Sequence, residues 1–67
     1  MQVGTVKAFD RTKHFGFIEA ENGRQYFVHQ TGILMDGVRV LLPGTPVEFR
    51  VGRDEKGRIQ AVDVRPF

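Results

Sequence analysis

The stretch that decides the fold is Phe15-Gly16-Phe17-Ile18-Glu19-Ala20, followed after the turn Glu21-Asn22-Gly23 by Tyr26-Phe27-Val28-His29. Both runs alternate with a period of two, so both read as strands with two distinct faces. Which faces coincide depends on register, because directly opposed residues of an antiparallel pair share a face. A two-residue Asn22-Gly23 loop would oppose Phe17 to Val28 and Ile18 to Phe27, mixing aliphatic and aromatic side chains on each side. A three-residue loop, Glu21-Asn22-Gly23, opposes Phe15 to His29, Phe17 to Phe27 and Ile18 to Tyr26. It also puts Gly23 where such a loop needs a left-handed residue. The second register is the expectation. It gathers Phe15, Phe17, Phe27 and His29 on one face and Ile18, Ala20, Tyr26 and Val28 on the other.

Working outward, turn signals recur at Asp10, Asn22-Gly23, Gly32, Gly37, Pro43-Gly44 and Gly57, with runs of Val, Phe, Ile and Tyr between them. That spacing predicts an all-β fold in one domain covering residues 1–67. Five strands are expected, over residues 2–9, 15–20, 25–30, 46–52 and 58–65. Pro46 suits a strand's first position, where a missing N–H costs least. Asp54-Glu55-Lys56-Gly57 reads as a hairpin turn. Residues 31–42 have room for one short helical turn, with Thr31 as its N-cap. The long connection from Thr31 to Thr45 should lie on the surface. Five short strands with that one long connection predict an antiparallel Greek-key barrel of the OB type, partly open.

A chain of 67 residues without cysteine must hold itself by packing alone. With 40% hydrophobic and 27% charged residues it is ordinary for a soluble globular domain. It carries no run long and apolar enough to span a membrane. No charged-then-apolar leader opens it, so a cytoplasmic setting is the default expectation. The aliphatic face, with Val6, Val47, Phe49, Val51, Ile59 and Val62 as partners, can fill one barrel interior. No helix is long enough to cover the second face, which leaves the phenylalanines outside. An exposed aromatic cluster of that size marks a binding surface.

Lys7, Arg11, Lys13 and His14 precede Phe15, and Arg24 stands at the hairpin tip. Flat rings interleaved with cations match single-stranded nucleic acid, whose bases stack while Lys and Arg track the phosphates. The net charge of +2 would not by itself identify such a partner. Gly16, between two outward rings, lets a base or a backbone approach closely. The other reading of the patch is a protein-interaction or self-association module. The chain is read as a monomer, with the 31–45 connection as the hinge a strand-swapped dimer would use. No catalytic or metal-ligand spacing is recognisable, so neither enzymatic activity nor a metal or other cofactor is expected.

Three segments closely resemble the bacterial cold-shock domain: Gly4-Thr5-Val6-Lys7-Ala8-Phe9-Asp10, Lys13-His14-Phe15-Gly16-Phe17-Ile18 and Tyr26-Phe27-Val28-His29. The second is similar to that family's ribonucleoprotein motif 1 (K-G-F-G-F-I) and the third to motif 2 (V-F-V-H-F). Gly37, Leu41, Gly44, Val47, Phe49, Lys56-Gly57 and Gln60-Ala61 also fit, so the likeness runs along the whole chain. It implies a five-stranded OB-fold barrel that binds single-stranded RNA and DNA, as an RNA chaperone or transcription antiterminator. The implied stacking surface falls on Phe15, Phe17, Phe27 and His29, bordered by Phe9, with cationic contacts from Lys7, Lys13 and Lys56. Gln30 and Arg58 complete the candidate set, through a base edge and a phosphate or guanidinium contact.

Departures from the family pattern carry information. Ala8 stands where the family usually has tryptophan, Gln30 where it has phenylalanine, and Val38 where it has a loop aromatic. His14 replaces a usual glycine. Each base–aromatic stack is worth roughly 1–3 kcal/mol, so these losses should weaken binding. Arg11, Arg39, Arg53 and Arg58 are the candidates for compensating charge.

Overall fold

The computed structural model describes residues 1–34 and 40–67. Its strands are β1 (Gln2–Asp10), β2 (Phe15–Ala20), β3 (Gln25–His29), β4 (Pro46–Arg53) and β5 (Ile59–Pro66). Each expected strand is present, with no end displaced by more than one residue. They close a barrel in the order β1-β2-β3-β5-β4. A closed ring of five strands cannot alternate direction all the way round, so one contact must be parallel. Here it is β3 with β5, and it is the shortest, pairing Phe27 with Gln60 and Val28 with Ala61.

The β2–β3 hairpin adopts the register that sorts its side chains. Phe15 pairs with His29, Phe17 with Phe27 and Ile18 with Tyr26, and Gly23 takes φ 87° at the turn. Gly57, in the Asp54–Gly57 turn, takes φ 80°. Among the described residues one helical turn is present, over Gln30–Gly32, and His29 rather than Thr31 caps it. The Nδ1 atom of His29 accepts the backbone N–H of Thr31 at 3.2 Å. Of the remaining readings in the connection, Gly37, Val38 and Arg39 lie outside the described residues.

The interior is built from Val6, Ile18, Ala20, Tyr26, Val28, Ile33, Leu41, Val47, Phe49, Ala61 and Val64, all buried. Phe49 is fully enclosed, with its ring 5.4 Å from that of Tyr26. Three expected core residues fall elsewhere: Val51 and Ile59 are exposed and Val62 is half-buried. The cause is geometric. Gln2, at the start of β1, pairs with Phe49, so the rest of β4 runs past its neighbour and the β4–β5 hairpin projects beyond the barrel. A bulge in β5 then shifts the inward set, since Glu48 to Arg50 spans two steps while Arg65 to Val62 spans three. Asp63 takes up the extra residue at φ 51°, turning Val64 inward in place of Val62. Ile33, which bridges to Val64, and Leu41 come from the long connection and fill the interior from outside the strands.

Gly16 is buried, and the close approach it permits is that of β1, not of a base. A Cβ there would collide with the carbonyl oxygen of Ala8 and lie 2.8 Å from the Cα of Phe9. Gly16→Ala should therefore cost about 3 kcal/mol, as an overpacked core does. His14, by contrast, occupies the left-handed region at φ 63°. That conformation costs a side-chain-bearing residue about 1–2 kcal/mol, while glycine returns about 0.5–1 kcal/mol through its freer unfolded chain. His14→Gly should stabilise by about 0.5–1 kcal/mol and raise Tm by about 3–6 °C. Calorimetry on the two variants checks both signs.

Two aspartates lock the turns. Asp10 Oδ1 accepts the Thr12 hydroxyl at 2.6 Å and the backbone N–H groups of Thr12 and Lys13 at 2.9 and 3.1 Å. Asp54 Oδ1 accepts the N–H groups of Arg58 and Lys56 at 2.8 and 2.9 Å. These bonds favour the charged form, chiefly the Thr12 hydroxyl for Asp10 and the Arg58 backbone N–H for Asp54. They hold both carboxyls below their ordinary value of 3.8. Because folding lowers both pKa values, their stabilisation is fully present above 3.8 and is lost as pH falls through the lower folded values. Urea midpoints should thus drop on the acid side of 3.8, and the Asp10→Asn, Asp54→Asn double variant should decline less steeply there. Superimposable profiles would refute the role of these turns.

Candidate nucleic-acid interface

The outer face of β2 and β3 carries the aromatic cluster. Phe15 and Phe27 lie 5.3 Å apart at an interplanar angle of 35°. Phe17 stands nearly edge-on to both, 6.4 Å from Phe15 and 6.0 Å from Phe27. Phe17 is 41% exposed, which is high for a phenyl ring in a strand with neighbours on both sides. His29, opposite Phe15, is exposed and extends the platform. Its ring is oriented by the cap: Nδ1 faces the Thr31 N–H and lies 3.0 Å from the Thr31 hydroxyl. With Nδ1 an acceptor, the neutral ring carries its proton on Nε2.

A bulge in β1 places the flanking residues. Val6 pairs with Ile18 but Ala8 with Phe17, so Lys7 is the extra residue, and it is exposed. The shift turns Ala8 outward beside Phe17, where an aromatic side chain would have widened the platform. Phe9 pairs with Gly16 on the inner side and packs against the core. It supports the sheet from behind and is not gathered with the three platform rings.

The loop between β1 and β2 is tied to the platform's edge. The N–H of His14 donates to Asp10 at 2.8 Å, and the His14 carbonyl accepts the N–H of Gln30 at 2.8 Å. Lys13 is thereby held beside the end of β3, where Gln30 follows His29. Arg24 sits at the other end of the hairpin, a strand length from Lys13, and does not join this cluster.

The projecting β4–β5 hairpin supplies the opposite wall. A groove of about 560 Å³ is lined by Phe27, with its neighbour Gln60, His29 and Thr31, and by Arg53, Asp54, Glu55, Lys56 and Arg58 of the hairpin, so carboxylates and cations both face it. Arg58 is paired through Nε with Asp54 Oδ2 at 2.9 Å. Arg53 donates to the Gly57 carbonyl at 2.7 Å and so braces the hairpin. Arg50 and Arg65 pair with Asp63 and Glu48, at 3.4 and 3.9 Å.

Lys13, Phe15, Phe17, Phe27, His29, Gln30, Lys56 and Arg58 thus share one side of the barrel, with Lys7 at its β1 edge. Sequence reasoning missed Thr31 and Gln60 as members of this surface. Alternation along β5 turns Gln60 outward, but that it lies beside Phe27 follows only from the parallel β3–β5 contact.

The 'Cold-shock' DNA-binding domain profile matches residues 2–67. A cold shock-like protein of Stigmatella aurantiaca is 48% identical over 66 residues, covering 97% of this chain and 96% of the relative. A cold shock protein of Bacillus subtilis is 46% identical over 65 residues, 97% of each chain. A glycine-rich protein of Nicotiana sylvestris is 50% identical over 62 residues, which is 91% of this chain but 29% of that longer protein. With the match running through both aromatic motifs and all five strands, the chain belongs to the cold-shock domain family and binds nucleic acid.

Proposed function

We propose that the chain binds single-stranded RNA and DNA by stacking about three or four bases on Phe15, Phe17, Phe27 and His29. Lys7, Lys13 and Lys56 follow the phosphates, Gln30 reaches a base edge, and Arg58 offers a guanidinium contact. The observation that carries this reading is the packing of three phenyl rings, 5.3–6.4 Å apart, on the outside of a barrel whose interior is already full. Burial of those rings by the protein itself would need another layer, and a base offers the flat apolar partner they lack. Stacking tolerates any base, so sequence specificity is low. Such binding opens RNA secondary structure and suits an RNA chaperone or transcription antiterminator in the cytoplasm.

Anisotropy titration of labelled oligo-dT and oligo-U tests the reading. Binding should weaken with salt at a slope of roughly −0.7 per phosphate neutralised. Phe15→Ala, Phe17→Ala and Phe27→Ala should each cost about 1–3 kcal/mol of affinity while the domain stays folded. Absence of binding at low salt, or a dimer by light scattering that buries the rings and ignores oligonucleotide, would overturn it.

A further inference from the structure

A second, narrower opening lies at the rim of the platform. Phe17, Phe27 and Ile59 form the apolar walls of a slot of about 280 Å³, and Asp54 and Arg58 close one side. Asp54 holds Arg58 at two points, accepting its backbone N–H on Oδ1 at 2.8 Å and its Nε on Oδ2 at 2.9 Å. Among the described residues the Nη atoms of Arg58 make no hydrogen bond. The guanidinium, on a side chain that is 72% exposed, is thus held at Nε and leaves two parallel Nη donors free.

We propose that Arg58, positioned by Asp54, makes this slot a guanine-selective base site. The proposal rests on the stacking reading above and adds a chemical preference to it. Two acceptors side by side match the free fork, and guanine offers them at O6 and N7. Adenine presents a donor beside its acceptor at the same edge, so it satisfies half the fork and opposes the rest. A phosphate is the poorer occupant on two counts. The walls are apolar, and the Asp54 carboxylate cancels the charge that would draw an anion in. Ile59 has a role here that a core position would deny it. Exposed by the projection of the β4–β5 hairpin, it supplies the apolar floor against which a base can pack.

The experiment scans an octameric oligo-dT with a single dG or dA at each position, read by anisotropy. The wild-type chain should prefer dG over dA by about tenfold at one position, in line with a bidentate Arg–guanine contact. Arg58→Lys keeps the charge but loses the fork, and should abolish that preference, bringing the dG-to-dA affinity ratio to about one. Asp54→Asn should reduce the preference by releasing the guanidinium. Arg58→Gln should leave the salt slope unchanged, whereas loss of a phosphate contact would lower it by about 0.7. Equal binding of dG and dA at every position, or a preference that survives Arg58→Lys, overturns the proposal. Failure of plain oligo-dT to bind overturns the stacking reading and this site with it. Binding of oligo-dT without any dG preference overturns this site alone.

Discussion

The register of the β2–β3 hairpin is the constraint on which the rest depends. Both faces of that hairpin are apolar, and a slip by one residue would exchange them. In the observed register Ile18, Tyr26 and Val28 go in, and Phe15, Phe17 and Phe27 stay out. A three-residue turn ending in Gly23, at φ 87°, admits that pairing. The interior is closed by Phe49 from β4 and by Ile33 and Leu41 from the connection. Once they are seated, the phenylalanines have no inner place to go. Exposure of the platform is thus a consequence of a full core, not of a weak one.

That much was legible because hairpin pairing is local. Alternation within each strand, the turn residues and the absence of a covering helix are all visible along the chain. Errors began where strands distant in sequence meet. Val51 and Ile59 alternate as core residues should, yet β4 outruns β1 and leaves them outside. Val62 loses its inward place to a bulge at Asp63, a residue type that tolerates a left-handed backbone but adopts it too seldom to mark the bulge in advance. Gln60 becomes a neighbour of Phe27 only through the parallel contact that an odd-stranded ring demands. Counting five strands would have predicted that some contact must be parallel, but not which one.

The turns do more than connect. Asp10 organises the β1–β2 loop and Asp54 the β4–β5 turn, each by accepting several hydrogen bonds on one half-buried carboxylate. The two turns flank the aromatic platform, so their rigidity sets how Lys13 and Arg58 stand relative to the rings. The His29 cap acts in the same sense. Its bond to the Thr31 N–H orients a ring that belongs to the platform. Ordering these groups in the free protein removes a cost that binding would otherwise carry. His14 bears the opposite sign. It pays a left-handed backbone so that its carbonyl can reach the Gln30 N–H and tie the loop down.

The loss of outer platforms is then weighed against charge. Ala8 faces out beside Phe17, where the family's tryptophan would add a stack worth about 1–3 kcal/mol. Arginines are the obvious replacement, but most are already engaged. Arg53 is bonded to the Gly57 carbonyl, Arg58 is neutralised by Asp54, and Arg50 and Arg65 pair with carboxylates. An exposed ion pair adds little to stability and offers little net charge to a phosphate. Among the described residues Lys7, Arg11, Lys13, Arg24 and Lys56 stand outside these pairs, and of them only Arg24 lies away from the platform. Their contacts are screened by salt, whereas stacking is not. Substituting charge for rings would therefore make affinity more dependent on ionic strength without restoring the contact area that Ala8 gives up.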